Sequence, residues 1–282
     1  MSTRISTATA LLADHQSTAT PAHHLALEHV SKAFHAGGNV VHAVSDMSLS
    51  VRPAEFVSLL GPSGCGKSTL LRIAAGLVAP TSGEVFVGGG SPQAAQRTKR
   101  LGMVFQQAAL MPWRTVTDNV ALPLEVNRRS GHAVDKARRI ADLLDQVGLA
   151  DFARAYPHQL SGGMQQRVAI ARALVFDPDI LLMDEPFGAL DEITRDQMRY
   201  ELLRIWGTHR KTVLFVTHSI PEAIVLSDRV VVMSARPGMV REILTVDLPR
   251  PRDERLESSA SFLSLAEHLK GLLRPGSSAP TG

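Results

Sequence analysis

The nine residues Gly61-Pro62-Ser63-Gly64-Cys65-Gly66-Lys67-Ser68-Thr69 constrain the fold of this chain more than any other stretch. They match the pattern G-x-x-x-x-G-K-[ST] from Gly61 to Ser68, and the flanking segments fit it. The short apolar run EFVSLL (55–60) leads in and reads as a strand. KSTLLRIAAG (67–76) leads out with helical spacing, and Gly76 is its expected stop. A glycine-rich turn between strand and helix lets backbone amides face inward around phosphate oxygens, with no side chain in the way. The helix start adds unpaired N–H groups and the positive end of its dipole. Lys67 would reach the β- and γ-phosphates of a nucleotide, and Ser68 would supply a hydroxyl to Mg²⁺. Cys65 reads either as a redox switch or as a small residue tolerated inside the loop.

At 282 residues the chain has room for one large domain or two small ones. A hydrophobic content of 44% supports a real core, and no apolar run nears the ~18 residues of a membrane-spanning helix. One cysteine excludes an internal disulfide and fits a reducing compartment. The net charge of +3 and 5% aromatic content, without a basic groove of stacking rings, argue against a nucleic-acid partner. Residues 1–24 are rich in Ser, Thr and Ala and lack the charged start and apolar stretch of a secretory signal; a disordered tail is expected.

From residue 25 strands alternate with helices. LGMVFQ (101–106), DILLMD (179–184), TVLFVT (212–217) and RVVVMS (229–234) are strand-sized. DILLMD and TVLFVT are apolar on both faces, as buried parallel strands are. TSGEVFVGG reads as a turn and an edge strand. Residues 107–177 read as a helical insert. Within it, SGHAVDKARRIADLLDQVG places Val134, Ala137, Ile140, Ala141, Leu144 and Val147 on one helical face, with Ser130 as N-cap and Gly148 as stop. The helix after Gly163 is expected to run to Asp177, before Pro178. Met198, Leu202, Ile205 and Trp206 form a core stripe. Residues 247–282 form a short tail in which Phe262, Leu265, Leu269 and Leu272 suggest an amphipathic helix.

ILLMDEP (180–186) ends a strand in two carboxylates, and ligands of open α/β sheets bind beyond such ends. Asp184 suits the Mg²⁺-supporting carboxylate of a phosphoryl-transfer site. Glu185, one residue on, points elsewhere and suits a general base for water; its other reading is a cap before Pro186. His218 follows the strand TVLFVT, and Gln106 ends LGMVFQ in the same way. Each can face a γ-phosphate from that place, or be structural.

LSGGMQQRVAIARAL (160–174) is a second glycine-led helix start, about a hundred residues after the first. With GPSGCGKST, FQ, LLMDEP, GALD and VTHS, in that order and spacing, LSGGMQQR resembles the ATP-binding subunit of an ABC transporter from about residue 25 to 245. The resemblance implies an α/β fold: a P-loop NTPase (RecA-like) core with a mostly parallel sheet, an antiparallel β subdomain and an inserted helical subdomain at about 107–177, within an ATPase domain spanning 25–246. It implies ATP and Mg²⁺ as ligands, bound by residues 61–69, with Ser68, Gln106 and Asp184 toward the metal. Glu185, Gln106 and His218 would be catalytic. Leu190 and Asp191 would form the D-loop. Phe34 would lie against adenine, or else pack in the core. Ser161, Gly162, Gly163 and Gln165 would address the γ-phosphate held by another subunit's Lys67, so that each site is shared by two chains.

LMPWRTVTDNVALPLE (110–125), LDEITRDQMRYELLRIW (190–206) and VVVMSARPG (230–238) look like the importer branch for nitrate, aliphatic sulfonates and taurine. A pyrimidine or vitamin precursor is the alternative cargo, and a non-transport ABC ATPase the remote one. Ala54 stands where family members often have glycine, and Gly188 where the wider superfamily has serine. Met111, Pro112 and Trp113 are either a core cluster or a partner surface. The expected partners are a second copy or a paralogous ATPase subunit, transmembrane permease subunits and, indirectly, a solute-binding protein, with the chain on the cytoplasmic face of the inner membrane. SMC-like DNA-associated ATPases share the signature, but they separate its two halves by long coiled coils that this chain lacks.

Overall fold

The structure, a computed structural model, describes residues 23–37, 39–127 and 133–274. Strands β1 (Leu25–Ala36), β2 (Asn39–Val51) and β3 (Phe56–Leu60) lead into the glycine loop and helix α1 (Lys67–Ala74). Strand β4 (Ser82–Val87), helix α2 (Pro92–Arg97) and strand β5 (Leu101–Val104) follow. Three helices come next: α3 (Val116–Val126), α4 (Ala133–Gln146) and α5 (Gly162–Leu174). The alternation then resumes with β6 (Ile180–Asp184), α6 (Glu192–His209), β7 (Thr212–Thr217), α7 (Ile220–Leu226), β8 (Arg229–Met233) and β9 (Val240–Thr245), and α8 (Ala260–Leu273) closes it.

The strands form two sheets. One is antiparallel, ordered β2-β1-β4, with β4 at its edge as the turn-and-strand pattern implies. The other is ordered β5-β6-β7-β3-β8-β9 and is parallel throughout except for β9. Every residue of β3, β6 and β7 is buried, which requires cover on both faces. Successive side chains go to opposite faces, so each strand feeds two cores. Phe56, Leu60, Met183 and Phe215 join the core containing α5–α8 and the helical insert. Val57, Leu59, Leu182 and Val216 join the core containing α1 and the antiparallel sheet. Phe56 meets Trp206 edge-on, with ring centroids 5.8 Å apart, and this contact anchors α6 to the sheet.

Three local expectations are corrected, the first being that α5 ends at Leu174 rather than running to Asp177. Strand β5 stops at Val104, so Phe105 and Gln106 lie past its end, in the segment that departs toward the helical insert. In α4 the buried face is Ile140, Leu143, Leu144 and Val147, while Ala137 and Ala141 are exposed. The spacing i, i+3, i+4, i+7 selects the larger leucines, and the alanines flank that stripe. Ser130 and the side chain of Val134 lie outside the described residues. The stripe Met198, Leu202, Ile205 and Trp206 is buried as a unit. In α8, Phe262, Ala266 and Leu269 are buried against the same core.

The turn between β2 and β3 carries the Ala54 departure. Glu55 N–H donates to the Arg52 carbonyl at 3.2 Å, Pro53 is second in the turn, and Ala54 is third with φ 58°. That left-handed position suits glycine, because a Cβ there crowds the following carbonyl. Ala54→Gly removes about 1–2 kcal/mol of strain and adds roughly 0.4–1 kcal/mol of unfolded-state entropy. The expected result is a net gain of about 0.5–1 kcal/mol, read as a higher urea midpoint at unchanged slope. A lower midpoint would show that the turn holds Ala54 without strain.

Candidate active site

The glycine loop is shaped by close packing. Gly64 and Gly66 have φ 74° and 98°, and a Cβ on Gly66 would stand 2.4 Å from the Ala43 carbonyl oxygen of β2. Only glycine fits there. Lys67 opens α1 with a buried side chain, and its Nζ donates to the Gly61 and Pro62 carbonyls at 2.8 and 2.9 Å. Pro62, Ser63 and Gly64 are exposed, and Thr69 is half-buried on the first turn of α1. Cys65 is 1% exposed, and burial pushes its thiol pKa up, with Lys67 only partly opposing this. A buried thiol held in its neutral form is a poor nucleophile. The structure therefore favours the small-residue reading of Cys65 over the redox switch.

The carboxylate pair arrives from β6. Ser68 Oγ donates to Asp184 Oδ1 at 2.6 Å, and Arg72 Nη2 lies 4.0 Å from Oδ2. Glu185 has φ 44°, a left-handed conformation that costs an ordinary residue about 1–2 kcal/mol. Its amide donates to the Val216 carbonyl of the neighbouring strand at 3.0 Å, and its own carbonyl accepts from Gly188 N–H at 2.9 Å. Held this way, the carboxylate sits between the His218 ring and the Lys67 ammonium. Oε2 is 3.0 Å from His218 Nδ1, and Oε1 is 3.8 Å from Lys67 Nζ. Backbone strain at a residue that joins two such groups is the form that functional sites take.

Gln106 borders the same cluster. A Cβ on Gly188 would lie 2.9 Å from Gln106 Nε2, so glycine at 188 leaves room for that amide. Residues 61–69, Asp184, Glu185, His218 and Gln106 thus converge at the C-terminal end of the parallel strands. Phe34 is elsewhere, on β1. It is 42% exposed, with Lys32 Nζ 5.1 Å from its ring centroid, so it is not packed in a core.

The second glycine-led helix start faces another neighbourhood. Ser161 caps α5 by accepting from Met164 N–H at 3.3 Å, and both Ser161 and Gly162 are exposed. Gly163 is buried, and a Cβ there would lie 2.7 Å from Thr194 Cγ2 on α6. Asp191 caps α6 by accepting from Thr194 N–H at 2.9 Å, which holds its carboxyl below the usual range. Gln165 Nε2 donates to the Pro157 and Leu160 carbonyls at 3.0 and 3.3 Å, bracing the turn before the cap. The nearest neighbours of Gly162 and Gly163 are Leu190, Thr194 and Met198.

Three positioning residues escape the sequence reading. Buried Gln166 donates to the Phe105 carbonyl at 3.2 Å, tying α5 to the Gln106 segment. Buried Asn119 accepts from Met111 N–H at 2.8 Å and donates to the Met111, Arg114 and Thr115 carbonyls. It thereby locks the turn that presents Trp113, which is 72% exposed and so part of a surface. Buried Glu222 accepts from Thr217 Oγ1 at 2.5 Å beside His218, and burial raises its pKa. The only local signal for any of them is a polar residue on a helical core face.

A family model described as ABC transporter matches residues 44–188. The taurine import ATP-binding protein of Roseobacter denitrificans is 47% identical over 205 residues, covering 73% of this chain and 75% of that protein. The nitrate import ATP-binding protein of Synechococcus elongatus is 46% identical over 235 residues, covering 83% of this chain and 35% of that protein. A solved dimeric ATP-binding cassette in a post-hydrolysis state, bound to ADP and phosphate, superposes with a TM-score of 0.70 at 35% identity, over 80% of this chain and all of that one. The loop, the carboxylate pair, the signature helix and these likenesses agree: the chain belongs to the ABC transporter family, as an ATP-binding cassette with ATPase activity.

Proposed function

We propose that this chain is the ATP-hydrolysing subunit that energises an importer of a small oxyanion-bearing solute, such as nitrate, an aliphatic sulfonate or taurine. The carrying observation is the Glu185 carboxylate, strained at φ 44° and set between His218 and Lys67. In this reading residues 61–69 hold the polyphosphate, and Lys67 offsets its charge. Glu185 takes a proton from the attacking water, and His218 holds the Glu185 carboxylate in position through Nδ1. Gln106 and Gly188 border the space where the γ-phosphate would lie. The Ser68 hydroxyl and Asp184 carboxylate, 2.6 Å apart, are the hard oxygen donors that suit Mg²⁺ shared with phosphates. When bound, Mg²⁺ would supply charge neutralisation at the phosphate oxygens.

Residues 25–246 form the ATPase unit in this assignment, 107–177 its helical arm, and 247–282 a tail. Two cassettes pair so that Ser161, Gly162 and Gly163 of one address the nucleotide on Lys67 of the other. Exposed Ser161 and Gly162 support this, as does the dimeric relative. The exposed Trp113 turn is the face offered to a permease subunit. Among the described residues no helix is long and apolar enough to cross a membrane. In this reading the chain is held at the cytoplasmic face through that permease.

Three outcomes follow. Glu185→Gln keeps ATP binding and lowers steady-state hydrolysis by about 10²–10⁴-fold; hydrolysis at the wild-type rate would remove Glu185 as the base. The shared site is tested at Ser161, because a side chain at Gly163 would collide with Thr194 inside its own chain. Ser161→Asp preserves the helix cap, since Asp ranks with Ser there, while placing a carboxylate against the partner's phosphate. The variant should bind ATP and fail to hydrolyse it. Mixing it with Lys67→Ala should restore activity through one composite site, and no recovery in the mixture would refute the two-chain site. The cargo is tested by deleting the gene and growing cells on taurine, an alkanesulfonate or nitrate as the only sulfur or nitrogen source. Growth should fail on one of these and return with the wild-type chain but not with Glu185→Gln. Normal growth on all three would overturn the oxyanion assignment.

A further inference from the structure

The turn between β8 and β9 carries a cation that the hydrolysis scheme leaves unused. Ser234 closes this turn: its N–H donates to the Met239 carbonyl at 3.0 Å, and its Oγ accepts from Met239 N–H at 3.1 Å and donates to the Pro237 carbonyl at 3.0 Å. Gly238 clamps the turn to two elements at once. Its N–H donates to the Ala43 carbonyl at 3.1 Å, its carbonyl accepts from Ser45 N–H at 3.0 Å, and a Cβ on it would stand 2.0 Å from the Cys65 carbonyl oxygen. The turn is therefore wedged between β2 and the phosphate loop.

Arg236 lies in this turn and places its guanidinium beside Gly64 of the loop. A Cβ on Gly64 would meet Arg236 Nη2 at 3.1 Å, with Nε and Cζ at 3.8 and 3.9 Å. Arg236 is exposed, and among the described residues its guanidinium has no hydrogen bond or ion pair. Arg250 and Arg252, by contrast, are engaged: Arg250 pairs with Asp228 at 2.9 Å, and Arg252 donates to the carbonyls that end α7. An unpaired guanidinium beside a phosphate-binding loop, carried on a turn pinned to that loop, has the donors that suit phosphate oxygens.

We propose that Arg236 is a nucleotide-binding residue, a second cation that contacts the polyphosphate from the solvent side of residues 61–66 while Lys67 reaches it from within. The proposal rests on the reading of that loop as the nucleotide site. It is tested by measuring ATP binding to the full chain, by titration calorimetry over a series of salt concentrations, for wild type, Arg236→Gln, Arg236→Lys and Lys67→Ala. Arg236→Gln should raise the Kd for ATP roughly tenfold and flatten its dependence on salt, because one phosphate contact is lost. Arg236→Lys should keep the salt dependence and recover part of the affinity. If Arg236→Gln stays within about twofold of wild type while Lys67→Ala loses binding, the Arg236 assignment falls and the nucleotide site stands. A tenfold loss with unchanged salt dependence would mean damage to the turn rather than a missing cation, and would also overturn it. If Lys67→Ala binds ATP normally, the loop itself is not the nucleotide site, and both readings fall.

Discussion

The site depends on the register of three parallel buried strands. Leu60 of β3 pairs with Thr217 of β7, and Val216 of the same strand pairs with Asp184 of β6. Three chain segments far apart in sequence therefore leave the sheet at the same height. Gly61, Glu185 and His218 are the residues that follow, so the phosphate loop, the base and the histidine meet as a direct result of strand pairing. A one-residue slip in any of these strands would exchange its two faces, moving Phe56 or Phe215 out of one core and Val57 or Val216 out of the other. The alternating apolar side chains thus protect the geometry of the polar edge.

The stability of that two-sided core supports local conformations that a weaker scaffold would not hold. Glu185 sits in the left-handed region, kept there by backbone hydrogen bonds to Val216 and Gly188. Lys67 is buried with its ammonium satisfied by carbonyls of its own loop. Cys65 and Gly238 touch so closely that neither backbone leaves space for a side chain at 238. Each feature would relax in isolation. Together they hold His218 within hydrogen-bond distance and Lys67 within ion-pair distance of Glu185.

The helical insert is joined to this centre by polar side chains rather than by strands. Gln166 reaches the Phe105 carbonyl, and Arg172 donates to the Ala108 and Ala109 carbonyls, so α5 grips the segment that carries Gln106. The same helix begins at Ser161 on the exposed surface. The Gln106 segment and the helix that begins at Ser161 are thereby joined by side-chain hydrogen bonds. Asn119 plays the comparable part at the other end of the segment, fixing the turn that exposes Trp113.

The sequence by itself determined the phosphate loop, the carboxylate pair, the buried parallel strands and the second glycine-led helix. These are local patterns, in which residue type and spacing follow from backbone geometry and periodicity. It misjudged the end of β5 and the exact face of α4, because an apolar run does not state where its partner strand stops or which of two adjacent stripes is wider. Only the tertiary structure decided that Gly163 is committed to packing against Thr194 while Ser161 and Gly162 stay open, that Cys65 is sealed in, and that Arg236 comes to lie over Gly64. The physical reason is separation along the chain. Arg236 stands well over a hundred residues after Gly64. What joins them is the pairing of β3 with β8 and the close approach of Gly238 to Cys65, and neither leaves a periodic trace in the sequence.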